Sequence, residues 1–293
     1  MAVSNIRIIN NLKIMKNLRQ VALVTCSLFL ISACSVEEEA VSPPAEPIVN
    51  IEEAVEAVIE PAAPEESPMA KNLPKISAVD HASAVVEWEN LTVFIDPVGD
   101  QVKYESFGTP DVVVITHVHG DHLSVDTMIG MLSRETVVLA PQSVIDELPL
   151  MISNNTFMAF NPGVNREVGG VNFTAIPAYN IRPEAINFHP KERGDIGVVM
   201  ESGEARIYFS GDSEGTPEML ALKDIDMAFV AMNLPYTMNI NDAANAVAVF
   251  APKTVVPYHY RTPNGFSNLD QFEEILFELN PNVGVERMNW YIN

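Results

Sequence analysis

Residues 117–122 read HVHGDH, which places three of the chain's six histidines and one aspartate within a single turn. Imidazole and carboxylate donors converging without thiolates suit Zn2+, with Mn2+ or Fe2+ as alternatives. Four such donors exceed what one catalytic ion needs, which points to a pair of ions. His117 and His119 are two residues apart and face the same way if an extended strand continues through them. Gly120 lets the chain turn sharply, so that Asp121 and His122 come from the turn itself. Downstream, His189, Asp212 and His259 have the right chemistry; His189 is the one histidine between the first cluster and Asp212. Thiolate ligands are excluded, because both cysteines, Cys26 and Cys34, lie near the N-terminus. Ser210 and Ser213 occur in FSGDSEG, but no GxSxG turn accompanies them, which argues against a serine nucleophile.

These donors need strand ends to hold them. The motif follows DVVVIT (111–116), an apolar run expected of a strand buried on both faces. Loops at the C-terminal ends of such strands are where α/β sites form. SAVVEW (83–88) and LTVFIDP (91–97) predict a hairpin around Glu89-Asn90. Further strands are expected at 136–140, 171–178, 196–201, 205–212, 227–232 and 253–259. Helices are expected at 124–134, 143–152 (with Pro149 as a breaker), 216–223, 241–251 and 269–279. MISNNTFMAFNPG (151–163) reads either as a lid or as an edge segment packing on the core. Strands that meander first and then alternate with helices predict a mixed α/β layered domain.

THVHGDH resembles the HxHxDH motif of the metallo-β-lactamase-fold hydrolase superfamily, and the resemblance continues in order along the chain. HASAVVEWENLTVFIDP (81–97) resembles the opening hairpin that ends in Asp-Pro. NFHPKERGDIGVVM (187–200) supplies His189, ARIYFSGDSEGTPEM (205–219) resembles the Gly-Asp segment after a strand, and TVVPYHY (254–260) resembles the final His strand. The YN…HP and GD…PEM phrasing looks most like the lactonase/phosphodiesterase-like branch. The resemblance implies a four-layer αββα sandwich and two metal ions, zinc first, on two sites. One would take His117, His119 and His189; the other would take Asp121, His122 and His259; Asp212 would bridge them. It also implies hydrolysis of a lactone, ester or phosphodiester by a metal-bridging hydroxide, with Asp121 orienting it or moving its proton. Two alternatives stay open: a metal-dependent small-molecule sensor without turnover, and a β-lactam hydrolase. His81 is expected to be structural or to sit behind the ligands. Asp96 reads equally as an orienter of a histidine or as a loop cap.

The substrate is expected to be a small molecule. Its candidate contacts are Tyr179, Asn180 and Arg182 before His189, Tyr236 after a strand, and Arg261 beside His259. Arg182 and Arg261 stand out in a chain with 17 basic against 39 acidic residues. Each could bind a carboxylate or phosphate, or pair with a local acid. The net charge of −22 argues against nucleic acid as a partner.

The N-terminus reads as an address. Lys13, Lys16 and Arg19 precede an apolar run, 21–33, that is too short to span a bilayer. ISAC, Ile31 to Cys34, resembles a bacterial lipobox, implying cleavage before Cys34 and lipid on its sulfur. Met15 is the expected true start. Ser35 after the cysteine favours an outer-membrane anchor facing the periplasm. Residues 35–70 hold ten Glu, six Pro and no Lys or Arg. Such a segment repels itself and buries little, and IEEAVEAVIE (51–60) is its one amphipathic stretch. The expected organisation is therefore a signal at 1–33, an acidic tether at 34–71 and a hydrolase-like domain at 72–293.

Overall fold

The structure is a computed structural model that describes residues 71–148 and 156–291. The signal segment, Cys34 and the acidic tether lie outside the described residues, apart from Lys71. Among the described residues no helix is long and apolar enough to cross a membrane.

The chain begins as a meander, β1 (Lys75–Asp80), β2 (Ser83–Trp88) and β3 (Leu91–Ile95), all antiparallel. Trp88 pairs with Leu91, so Glu89-Asn90 form the predicted two-residue turn, with Glu89 left-handed at φ 54°. The primed hairpin turns require such a φ. β4 (Val112–Val114), β5 (Val137–Ala140) and β6 (Thr156–Ala159) then add in parallel. α1 (Val125–Met131), capped by the Ser124 side chain, and α2 (Gln142–Ile145) lie on the connections. The second half repeats the plan. β7 (Asn165–Val168), β8 (Val171–Pro177), β9 (Ile196–Ser202) and β10 (Ala205–Phe209) are antiparallel. After α3 (Pro217–Leu220), β11 (Met227–Ala231), α4 (Ile240–Phe250) and β12 (Thr254–Tyr258) continue in parallel. A small hairpin, β13 (Arg261–Thr262) and β14 (Gly265–Phe266), precedes α5 (Leu269–Leu279), and β15 (Gly284–Val285) closes the sheet edge.

The first sheet runs β1-β2-β3-β4-β5-β6 and the second β15-β12-β11-β10-β9-β8-β7. Successive residues of a strand face opposite sides, so a strand covered on both faces is apolar throughout. Val86, Val93 and Val112 of one sheet meet Phe173, Ile207, Phe229 and Val256 of the other in one core. Their chain neighbours Val85, Phe94 and Val113 pack outward with Met128 of α1 and Val144 of α2. Tyr208, Ala228 and Val255 pack outward with Ala243, Val247 and Phe250 of α4 and with Phe272 and Leu276 of α5. The result is the expected four-layer αββα sandwich.

Local differences from expectation have physical causes. The 143–152 helix is reduced to one turn at 142–145, and residues 149–152 lie outside the described set. In the 151–163 segment, Thr156–Ala159 is the edge strand β6 paired with β5, and residues 151–155 lie outside the description. β1 and β7 were not predicted: both are edge strands, and β7 alternates exposed with half-buried residues.

The C-terminal segment also enters the core. Trp290 is fully buried against Phe229 and Tyr258, with ring centroids 6.0 and 5.5 Å apart, and its carbonyl accepts the His81 amide at 2.9 Å. Trp290→Ala should therefore lower unfolding stability by about 3–5 kcal/mol, the usual cost of deleting a buried tryptophan. Urea denaturation followed by circular dichroism would check this; a loss well under 1 kcal/mol would contradict the packing role.

Candidate metal centre

Parallel strands deliver their C-terminal ends to the same edge of a sheet, and the candidate residues follow those ends. Asp96 follows β3, the HVHGDH turn follows β4, Asp212 follows β10 and His259 follows β12, while His189 lies on the β8–β9 connection. An inter-sheet hydrogen bond, Ile196 N to Thr116 O at 3.1 Å, closes this edge.

Strand alternation does not bring His117 and His119 together, because β4 stops at Val114. Instead the turn folds back, the amides of His122 and Leu123 both donating to the His119 carbonyl at 2.9 and 2.8 Å. His117 then presents Nε2 and His119 presents Nδ1, 3.1 Å apart. Gly120 is not what permits the turn: its φ is not among the left-handed angles, and an added Cβ there would meet nothing within 4 Å. The glycine the site needs is Gly211. It lies at φ +57°, and a Cβ there would sit 2.5 Å from the Ile196 carbonyl oxygen. A side chain at Gly211 would push Asp212 off its position.

Donor atoms converge in two groups that share Asp212. His117, His119, His189 and Asp212 form one, and His122, His259 and Asp212 the other, each with its donor atoms within 4.8 Å of one another. Asp212 Oδ2 is 3.2 Å from His189 Nε2, while Asp212 Oδ1 is 3.3 Å from His122 Nε2 and 3.1 Å from His259 Nε2. Tetrahedral Zn2+ with bonds of about 2.0–2.1 Å sets its ligands ~3.4 Å apart, so these separations suit such an ion. Asp212 Oδ1 and His189 Nε2 are also buried without a hydrogen bond, an arrangement that is costly unless a cation completes it. Asp121 stands at the outer edge, its Oδ2 3.6 Å from His259 Nε2 and 3.4 Å from His81 Nε2. His81, Asp121 and His259 make a third cluster, so His81 belongs to the site's rim rather than to the framework alone.

The outward nitrogens are held by oxygens. His122 Nδ1 donates to Asp96 Oδ2 (2.7 Å), His117 Nδ1 to Thr116 Oγ1 (2.9 Å) and His189 Nδ1 to the Tyr236 carbonyl (3.2 Å). This fixes three rings with Nε2 inward, the arrangement that orients histidine ligands. Asp96 fulfils both expected roles, because its two oxygens also accept the Thr116 amide (2.7 Å) and hydroxyl (2.6 Å). Asp96, His81 and His259 are themselves left-handed, at φ 43°, 50° and 48°. Such strain gathers where function requires it.

Charges follow from burial and neighbours. Burial, then the adjacent His122, holds His117 well below the ordinary histidine pKa. Burial, then Arg193, pushes His119 down to about 4. Burial also lowers His259. Burial disfavours charge on His122 as well, but Asp212 and Asp96 outweigh it and hold its pKa well above normal. Asp212 and Asp121 are likewise opposed by burial, yet their histidine neighbours keep both well below the usual carboxylate range.

Most of the expected substrate contacts are committed elsewhere. Arg182 Nε binds the buried Glu214 at 2.6 Å, and Glu214 Oε2 accepts the amides of Ile181 and Arg182 at 2.8 Å each. A buried carboxylate needs this compensation. The Asn180 amide donates to the His189 carbonyl (2.9 Å), and its side chain donates to the Tyr236 carbonyl (2.7 Å), so Asn180 positions His189. Tyr179 is buried with its hydroxyl on Glu218 (2.8 Å). Tyr236 exposes its ring beside Phe188. Arg261 lies over the Tyr291 ring. Three site neighbours were missed: Arg193, whose Nη1 is 3.0 Å from His119 Nε2; Asp195, which holds Arg193 at 2.8 Å; and Tyr291, whose hydroxyl is 3.0 Å from His81 Nδ1. Arg193 carried a signal, a cation four residues after His189 in an acidic chain. Tyr291 carried none, being 210 residues from His81.

The fold and the donor set define a metal-dependent hydrolase of the αββα class. A family model for the beta-lactamase superfamily domain matches residues 75–259, and the chain belongs to that family. Among its relatives is a UPF0173 metal-dependent hydrolase of Methanopyrus kandleri, 27% identical over 220 residues, covering 72% of this chain and 95% of that protein. A candidate metal-dependent hydrolase from Parabacteroides distasonis of known structure is 30% identical, covers 75% of this chain and 94% of its own, and superposes with a TM-score of 0.65. A metallo hydrolase from Ignicoccus hospitalis shares the fold at 20% identity and a TM-score of 0.62, covering 75% and 96% of the two chains.

Because Asp96 fixes both His122 and the Thr116–His117 link, Asp96→Ala should weaken metal retention about 10- to 100-fold. Competition against a chromophoric chelator would measure this; unchanged retention in a folded variant would exclude the orienting role.

Proposed function

We propose that this protein is a di-metal hydrolase of the bacterial cell envelope, loaded with zinc, that cleaves a lactone, ester or phosphodiester bond. The observation that carries this reading is Asp212, a buried carboxylate with one oxygen facing each of two histidine clusters. An all-nitrogen and oxygen donor set favours Zn2+, with Mn2+ or Fe2+ as substitutes. Two bound ions would lower the pKa of a shared water toward neutrality and neutralise charge developing on the substrate oxygens. The chain's own work is positional. His117, His119, His189, His122 and His259 would hold the ions together with Asp212, and His122, whose pKa Asp212 and Asp96 hold well above normal, would have to give up a proton to bind one. Asp121, with 43% of its side chain exposed, stands at the mouth and stays ionised. There it can orient the attacking water by accepting a hydrogen bond from it. The envelope location rests on the Lys/Arg-flanked apolar run and ISAC at Cys34, which support an outer-membrane lipid anchor facing the periplasm.

Metal analysis and a substrate panel test the catalytic reading. The purified protein should hold close to two transition-metal ions per chain and turn over a lactone or bis-p-nitrophenyl phosphate, and Asp212→Ala should abolish both the second ion and turnover. Folded protein that never takes up metal, or that hydrolyses nitrocefin alone, would overturn it; metal-loaded protein that binds small molecules but turns over none would leave the sensing role. For the anchor, labelled palmitate supplied to cells should enter the wild type and not Cys34→Ala, and equal labelling would exclude lipidation at that residue.

A further inference from the structure

Arginines are scarce in this chain, and most of those described are occupied. Arg182, Arg193, Arg206 and Arg287 each hold a carboxylate, at 2.6, 2.8, 2.8 and 2.6 Å. Arg261 is exposed, and among the described residues its guanidinium makes no hydrogen bond or ion pair, its backbone being paired with Phe266 in the hairpin. Its guanidinium lies over the Tyr291 ring, 5.0 Å from the centroid. Stacking of this kind orients the planar group and leaves its N–H edges available for a bidentate partner.

Its position is set by the metal centre. Arg261 is two residues beyond His259 and opens the β13–β14 hairpin. The Tyr291 hydroxyl beneath it contacts His81 Nδ1 at 3.0 Å, and the His81 ring lies 4.0 Å from the His259 ring, with its Nε2 3.4 Å from Asp121. Phe266, on the other hairpin strand, is 55% exposed and lies 4.6 Å from the Tyr291 ring. An uncommitted guanidinium and an exposed ring are thus linked through Tyr291 and His81 to Asp121, the donor most open to solvent. A strongly acidic protein repels anions, so a carboxylate would need a local cation here to approach the metals.

We propose that Arg261, stacked on Tyr291 with Phe266 beside it, is an anion subsite that selects substrates bearing a carboxylate on a flat, ring-containing group. The inference rests on the hydrolase reading above and specifies its substrate. On the zinc-loaded protein, 4-acetoxybenzoate and phenyl acetate would be compared as substrates, and phenylacetate and phenylacetamide as ligands by calorimetry. Arg261→Gln should cut the wild-type preference for the carboxylated ester about tenfold or more, the loss residing in KM, and weaken phenylacetate binding while sparing phenylacetamide. Arg261→Lys, which keeps the charge but not the planar fork, should fall between. Metal content measured on each variant separates a lost subsite from a damaged centre. An unchanged ester preference together with unchanged phenylacetate affinity would overturn the subsite. Failure of both esters to turn over would count against the hydrolase reading alone, because the calorimetric comparison still decides the role of Arg261.

Discussion

Asp96 buries a carboxylate with both oxygens committed. One takes the Thr116 amide; the other takes the Thr116 hydroxyl and His122 Nδ1, and the same hydroxyl accepts from His117. Burying a charge is expensive unless it is fully hydrogen-bonded, and here every partner is either part of the HVHGDH turn or the residue just before it. The anion that ends β3 therefore dictates how the chain leaves β4. It also dictates which nitrogen of two histidines points inward. The left-handed backbone at Asp96 is stabilised by this set of bonds rather than by any preference of aspartate itself.

Asp212 imposes the complementary constraint from the other sheet. Its carboxylate is surrounded by His122, His189 and His259, with two inward atoms, Asp212 Oδ1 and His189 Nε2, lacking hydrogen bonds. Gly211 allows Asp212 to approach because no side chain fits between it and the Ile196 carbonyl. The two sheets are thus joined not only by their apolar core but by a polar edge of buried carboxylates and histidines whose inward donor atoms could hold a cation. A cation bound there would stabilise this edge along with the fold. Farther out, Arg193 with Asp195 and His81 with Tyr291 frame the opening on two sides.

Much of the framework was legible because it is local. α5 was bounded from its helical periodicity, and the β2–β3 hairpin from alternating residues around a two-residue loop. The buried parallel strands were legible as apolar runs. The edge strands β1 and β7 were not, since half-exposed strands carry mixed residues whose pairing depends on a neighbour already in place. The ligand candidates were legible because clustered histidines are rare in this chain. The fate of Asn180 and Arg182 was not: their type suggested ligand contact, whereas Glu214, unmarked in the sequence, and the backbone carbonyl of Tyr236, a residue singled out only for its side chain, claim them as supports for the His189 loop.

The amino-acid sequence by itself determined the layered α/β plan, the HVHGDH turn, and the presence of His189, Asp212 and His259 at the ends of predicted segments. It did so because strand burial and helix amphipathicity are written in short-range patterns, and because donor atoms are a matter of residue type. Tertiary structure alone decided how those donors divide: which nitrogen each histidine offers, that Asp212 faces both clusters, that Asp121 shares its edge with His81, and that Tyr291 and Arg261 stand beside them. Those facts depend on atoms brought within a few ångströms from across the chain, where the burial of one charge fixes the orientation of the next, and no spacing along the chain encodes such a distance.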